Sequence, residues 1–260
     1  MTIEARALDF GYRGHAVGRG LDLALEKGEV LCVLGPNGSG KTTLFRTLLG
    51  LLPRLGGEAF VDGEDVARMP RVKVARAVAY VPQASSSYFD FTLVEMVLMG
   101  RTAHLGTFEA PQARDRAISH AALARMGIGA LADRPLGAVS GGERQLALIA
   151  RALATEARAL VMDEPTANLD FGNQARVLAQ ISALRDAGVS ILLCTHDPGH
   201  AFQVADRVLL MRDGSAVTLA PTAEALTAEH LSRLYDVPVH VADVETPDGL
   251  RRVCVPGSRS

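Results

Sequence analysis

Eight consecutive residues, Gly35-Pro36-Asn37-Gly38-Ser39-Gly40-Lys41-Thr42, fit the pattern G-x-x-x-x-G-K-[ST]. Glycines at these spacings let successive backbone N–H groups turn inward around a phosphate, where a Cβ would intrude. A helix beginning at Lys41 adds the positive end of its dipole. Lys41 can then reach β- and γ-phosphates, and the Thr42 hydroxyl can ligate Mg2+. Lysine suits the task because it carries a compact charge on a thin stem. Lys27, Lys41 and Lys73 are the chain's lysines among 27 basic residues, the rest being arginine. A lysine kept here is a candidate for work the bulkier guanidinium cannot do.

The apolar run Leu160-Val161-Met162 ends in Asp163-Glu164. A carboxylate at the C-terminal edge of a strand, beside a phosphate loop, is placed to coordinate Mg2+ directly or through water, which is the expectation for Asp163. Glu164 falls on the other side of the strand end, where it could polarise an attacking water. His196 follows a further apolar strand in Leu193-Cys194-Thr195-His196-Asp197. It could contact the γ-phosphate, or hold Glu164 and the water in line. Asp197 and His200 are read as opening the next helix rather than as metal ligands.

Ser140-Gly141-Gly142 precedes a helix expected over 146–157. Ser140 suits an N-cap, and the two glycines bare the first-turn N–H groups, which makes a second anion site on the same chain. Two phosphate clamps in separate lobes make sense if they meet on one nucleotide. The simplest such geometry is a head-to-tail pair of chains, each closing the other's site.

These residues need elements to hold them. Residues 3–10 roughly alternate apolar and polar and read as a strand. Gly11, Gly14, Gly18 and Gly20 read as turns before a second strand at 21–25. Further strands are expected at 29–34, 58–61, 77–81, 159–162, 189–194 and 208–211, several as continuous apolar runs suited to burial on both faces. Helices are expected at 41–50, at 173–187 with Val177, Leu178, Ile181 and Leu184 on one face, and at 199–205. From Thr92 to about residue 157 the pattern is helical, with Pro111 at the first position of a helix and a break at Asp133-Arg134-Pro135. Strands alternating with helices imply an α/β fold around a parallel sheet, with residues 85–157 as an inserted helical lobe. Residues 236–260 read as a small appendage, a hairpin turning at Thr246-Pro247-Asp248-Gly249.

Composition narrows the classes. A chain of 260 residues, 48% of them hydrophobic, can bury a substantial core. Its formal net charge of -2 supplies no basic field, which argues against nucleic acid as a partner. No apolar run approaches the ~18 residues that span a bilayer. Met1-Thr2-Ile3-Glu4 lacks the pattern of a signal peptide, so a membrane role is expected to be peripheral, through a partner. Cys32 and Cys194 lie inside apolar runs and read as buried thiols. With Cys254 they form neither a metal spacing nor a disulfide framework, which fits a reducing cytoplasm.

In their order along the chain, from about Ile3 to Leu234, these motifs resemble the ATP-binding cassette family. Gln83 in Tyr80-Val81-Pro82-Gln83 resembles the glutamine loop, Ser140-Gly141-Gly142-Glu143 the signature, and Asp163-Glu164 the acid pair. Ala167-Asn168-Leu169-Asp170 resembles the D-loop, His196 the switch histidine, and Tyr12 the aromatic that stacks on adenine. The signature commonly reads Leu-Ser-Gly-Gly-Gln, whereas Val139 and Glu143 stand here, and Asn168 occupies a D-loop position where a small residue is frequent.

The resemblance implies a P-loop nucleoside-triphosphatase core with a mostly parallel sheet, an N-terminal antiparallel β region and the inserted helical lobe, over residues 1–235. It implies an ATPase that uses ATP and Mg2+. Gly35 to Thr42 with Thr43, Tyr12, and Ser140 to Glu143 would bind nucleotide; Thr42, Gln83 and Asp163 would hold Mg2+. Lys41, Gln83, Glu164 and His196 would serve catalysis. Two copies would sandwich two Mg·ATP head to tail at the cytoplasmic face of the inner membrane. Membrane-spanning permease subunits would be their partners, with a substrate-binding protein acting indirectly. Tyr88, Phe89 and Phe91 could pack against a permease helix or within the lobe.

Val97-Leu98-Met99-Gly100-Arg101, Asn168 to Gln174 and Leu234 to Val239 resemble importers of iron–siderophore, haem or cobalamin type. Importers of other metals or oxyanions, and a soluble ATPase uncoupled from transport, are the alternatives. A P-loop kinase or GTPase would leave Ser140 to Gln145 unexplained.

Overall fold

The computed structural model describes residues 2–83, 91–106, 109–247 and 249–257. Its first part contains β1 (Ile3–Tyr12), β2 (His15–Leu25), β3 (Val30–Leu34), α1 (Lys41–Leu48), β4 (Gly56–Val61), β5 (Glu64–Asp65), α2 (Arg71–Ala77) and β6 (Val78–Val81). The helical lobe follows as α3 (Leu93–Leu98), α4 (Ala113–Arg125) and α5 (Gly141–Ala154). The chain returns through β7 (Ala159–Asp163), α6 (Phe171–Asp186), β8 (Ser190–Thr195), α7 (Pro198–Val204), β9 (Arg207–Arg212) and β10 (Ser215–Pro221). It closes with α8 (Thr222–Ala225), α9 (Ala228–Tyr235), β11 (Val239–Thr246) and β12 (Gly249–Pro256).

One sheet runs β10-β9-β3-β8-β7-β6 and is parallel except for the β10 edge. A second, antiparallel sheet runs β2-β1-β4-β5, and β11 and β12 pair alone. Fold class is therefore α/β with an antiparallel N-terminal region and an inserted helical lobe.

Period-two alternation explains why the central strands read as unbroken apolar runs. In β3, Val30, Cys32 and Leu34 enter the core beneath the helices, while Leu31 and Val33 enter the core shared with the antiparallel sheet and α1. Strand β8 divides likewise, with Ile191 and Leu193 on one side and Leu192 and Cys194 on the other. Each such valine, leucine or isoleucine, fully buried, contributes about 1.5–3 kcal/mol. Helix α6 buries Val177, Leu178, Ile181 and Leu184, the stripe its periodicity predicts.

The lobe is tied internally by Arg101, whose Nε lies 3.0 Å from Asp115 Oδ1. Its Nη1 donates to Ala154 O at 2.7 Å and to Glu156 Oε2 at 2.7 Å, just past α5. The C-terminal end of the helix that carries Ser140 is thereby fixed to α4.

Three local expectations need correction. Helix α5 spans Gly141–Ala154, not 146–157, because Ser140 is its N-cap and the two glycines form its first turn. Strand β2 begins at His15, not Leu21, and Gly18 and Gly20 lie inside it. These glycines serve the irregular β1–β2 pairing, which shifts register between Leu8 and Gly11. A Cβ on Gly18 would fall 2.1 Å from Gly214 O and 2.3 Å from the Phe10 ring, so a side chain is excluded by close approach. Pro111 precedes the cap of α4 and is not its first residue. Gln112 is the N-cap, with its N–H donating to Asp115 Oδ2 at 3.0 Å. Helix α2 and strand β10 were not expected, α2 being short and β10 lacking a buried face.

Because Gly18 has no room for a methyl group, Gly18→Ala is expected to lower unfolding stability by about 2 kcal/mol or more in urea titration. A loss under about 0.5 kcal/mol would show that the hairpin does not pack against Gly214 as described.

Candidate functional site

Strand β3 runs directly into the glycine loop, and the loop into α1. Gly40 caps α1 in the left-handed region, φ 98°, and no acidic residue occupies the first turn. A Cβ there would lie 2.6 Å from Val17 Cγ1, so only glycine lets β2 brace the loop. With no side-chain cap at Gly40, the first-turn amides and the helix dipole at this end are left for an anion.

Lys41 is buried. Its Nζ donates to Gly35 O at 2.8 Å and Pro36 O at 3.0 Å, and lies 3.6 Å from Glu164 Oε1. It borders a polar cavity of about 410 Å3 lined also by Asn37, Gly38, Thr42, Gln83 and Glu164. The Ser39 hydroxyl is buried in the same loop without a hydrogen-bond partner among the described residues. A phosphate oxygen is the kind of group that would satisfy it.

Asp163 is 1% exposed and accepts three hydrogen bonds. Thr42 Oγ1 donates to Oδ1 at 3.0 Å, Tyr80 OH to Oδ2 at 3.0 Å, and Cys194 Sγ to Oδ1 at 3.0 Å. Burial, then the adjacent carboxylate, pushes both the Tyr80 phenol and the Cys194 thiol up, so both stay protonated and donate. Sequence reading missed these two roles. Tyr80 precedes Gln83 by three positions, but no local pattern marks it, and Cys194 reads as one more apolar residue of β8.

Glu164 leaves β7 in the left-handed region, φ 47°, its N–H held by Cys194 O at 3.2 Å. Its Oε1 faces Lys41, while Oε2 lies 3.3 Å from His196 Nδ1. Asp197 caps α7, accepting from Gly199 N–H at 2.7 Å. His200 Nδ1 lies 3.1 Å from Thr166 Oγ1 and 3.4 Å from Thr195 Oγ1, and burial pulls its pKa below the ordinary 6.5. It is thus a neutral ring joining the ends of β7 and β8.

Ser140 caps α5 through a reciprocal pair: its Oγ accepts from Glu143 N at 3.2 Å, and Glu143 Oε2 accepts from Ser140 N at 2.8 Å. A Cβ on Gly142 would fall 2.2 Å from Asn173 Oδ1. Asn173 is itself held by Asp170, which accepts from its N–H and its side-chain amide, each at 2.8 Å. Thus 140–143 rests on the segment that follows Ala167-Asn168-Leu169-Asp170.

The structure brings Lys41, Thr42, Gln83, Asp163, Glu164 and His196 together at the carboxyl ends of β3, β6, β7 and β8. Ser140, Gly141, Gly142 and Glu143 do not line that cavity. Tyr12 does not line it either; it ends β1 with 48% of its surface exposed. Tyr88 and Phe89 lie outside the described residues, and Phe91 is partly exposed.

A family model described as ABC transporter matches residues 19–167. The hemin import ATP-binding protein HmuV of Burkholderia lata is 36% identical over 273 residues, covering 98% of this chain and 99% of that one. The molybdate import ATP-binding protein MolC of Haemophilus influenzae is 35% identical over 220 residues, covering 84% and 81%. Among solved structures, an inward-facing metal-chelate type ABC transporter superposes with a TM-score of 0.88 at 32% identity, covering 99% of this chain and 97% of that one.

The cap of α5 can be tested apart from any nucleotide. Ser140→Ala is expected to lower stability in urea by about 1 kcal/mol, and Ser140→Thr to restore most of it. The Ser140 N–H holds the Glu143 carboxyl below its ordinary 4.5. Its contribution is therefore present above that pH and lost as pH falls through the lowered value. The stability gap between the wild type and Glu143→Ala should narrow in acid; a gap widening below pH 4.5 would contradict the cap.

Proposed function

The chain belongs to the ATP-binding cassette transporter family and is an ATP-binding, ATP-hydrolysing subunit; on that premise we propose that it powers import of a metal chelate of haem, iron–siderophore or cobalamin type. The single observation that carries the hydrolytic reading is Glu164 held between two nitrogen-bearing side chains beside the phosphate loop, Lys41 at 3.6 Å and His196 at 3.3 Å. The near full-length likeness to HmuV and to a metal-chelate type transporter supports the cargo class. The likeness to MolC keeps an oxyanion as the second reading. Radiolabelled hemin, ferric siderophore, cobalamin and molybdate, offered to cells lacking this chain, separate the two. Lost uptake of a chelate supports the first, and loss confined to molybdate transfers the cargo to the second.

In this reading ATP phosphates enter the cavity between Gly38 and Glu164. Lys41 exchanges its carbonyl partners for β- and γ-phosphate oxygens, and the α1 amides hold the β-phosphate. Glu164 takes the proton of the attacking water, and His196 steadies the carboxylate from its far oxygen. Thr42 and Asp163, paired oxygen donors 3.0 Å apart, and Gln83 fit a hard divalent cation such as Mg2+. Bound there, Mg2+ would neutralise charge on the β- and γ-phosphates.

Ser140 to Gly142 lie away from the cavity, so the γ-phosphate would be closed over by a second copy contributing its own α5 N-terminus. Closing and reopening of the pair would be carried through Gln83 and the helical lobe to permease subunits at the cytoplasmic face of the membrane. No helix among the described residues is long and apolar enough to cross a bilayer, so contact with the membrane would run through those subunits. Residues 1–235 would form the ATPase unit and 236–260 an appendage to it.

Glu164→Gln is expected to keep ATP affinity within about threefold while slowing hydrolysis by about 100-fold or more. It should also accumulate as an ATP-bound dimer in gel filtration. Near-normal turnover would remove Glu164 from its role. Lys41→Ala should weaken ATP binding by about tenfold or more in calorimetry, and unchanged affinity would contradict the phosphate role.

A further inference from the structure

Helix α9 is far from the phosphate loop in sequence, yet it is fastened to the same framework. Thr227 caps its start by accepting from His230 N–H at 3.1 Å, and Leu231 and Leu234 are buried in the core. Asp236 ends it in the left-handed region, φ 55°. Arg212, at the end of β9, donates from Nη1 to Asp236 Oδ1 at 3.0 Å and from Nη2 to the other carboxylate oxygen. The same Nη1 also reaches Arg233 O. Met211, next to Arg212, lies against Gly40 of the phosphate loop. One strand thus references both the loop and the last turn of α9.

That last turn carries Tyr235. Its ring packs against the core and its hydroxyl donates to the main-chain oxygen of His196 at 2.8 Å. Burial pushes the phenol up, so it stays a donor. The His196 side chain is about half exposed, and its Nδ1 faces Glu164 Oε2. A half-exposed imidazole on a loop has several rotamers open to it, so a fixed main chain narrows where the ring can point.

We propose that Tyr235 is a positioning residue for ATP hydrolysis: its hydroxyl pins the main chain of His196 and so aims the imidazole at Glu164. The proposal rests on the reading in which His196 assists Glu164. It places a determinant of turnover in the C-terminal helix, outside the nucleotide cavity.

The test is a double-mutant cycle on the purified full chain, with hydrolysis followed using radiolabelled ATP. Tyr235→Phe keeps the packed ring and deletes only the hydroxyl. It should lower kcat about fivefold while leaving KM for ATP within about twofold. Placed on His196→Ala, the same change should cost nothing further, because the residue it acts through is gone. Unchanged kcat in Tyr235→Phe, or an undiminished fivefold loss on the His196→Ala background, would overturn the proposal. Wild-type turnover in His196→Ala would overturn it together with the role of His196. A slow His196→Ala with a normal Tyr235→Phe would overturn the positioning role alone.

Discussion

The buried carboxylate of Asp163 is the point on which the site depends. Three donors converge on it from three separate stretches of chain: Thr42 from the start of α1, Tyr80 from β6 and Cys194 from β8. Burying an ion is costly unless its oxygens are satisfied, and here the protein supplies the satisfaction with neutral donors rather than a cation. That choice leaves Lys41 to face the cavity, held by the carbonyls of its own loop and near Glu164. Glu164, next along the chain, leaves β7 in the left-handed region and faces His196.

Around this centre the two sheets and the helical lobe have distinct duties. The antiparallel sheet braces the glycine loop from the side, through Val17 and Phe10 against Gly40. The parallel sheet presents its carboxyl ends, as open α/β sheets do when they bind ligands. The lobe holds α5 by its C-terminal end through Arg101 and leaves the capped N-terminus at Ser140 outward. The contact of Gly142 with Asn173 seats that N-terminus on the start of α6, immediately after the turn that follows Glu164.

What could be read in the sequence was whatever is local. The phosphate loop, the acid pair at a strand end and the Ser140 cap each lie within a few residues, and their spacing carries the geometry. The apolar runs of β3, β7 and β8 disclosed strands buried on both faces. By contrast, Tyr80 and Cys194 meet Asp163 only because β6, β7 and β8 are neighbours in the sheet, an order no single stretch encodes. Tyr235 meets His196 only after α9 folds back. The glycines of β2 misled for a physical reason: Gly18 was read as a turn signal, whereas it answers to crowding by Phe10 and Gly214 within a strand. Pro111 misled by one or two positions, since Gln112 and Asp115 form the cap that decides where α4 starts.

The central claim is that one nucleotide is held by two chains, the phosphate loop of one and Ser140 to Gly142 of the other. The most direct measurement mixes two inactive variants. Lys41→Ala and Ser140→Arg are purified separately and combined in equal amounts, and ATP hydrolysis is compared with each alone. Random pairing gives mixed dimers with one intact composite site, so the mixture should recover about a quarter of the wild-type rate. A mixture no faster than the sum of its parts would contradict the shared site and leave each chain with a self-contained one.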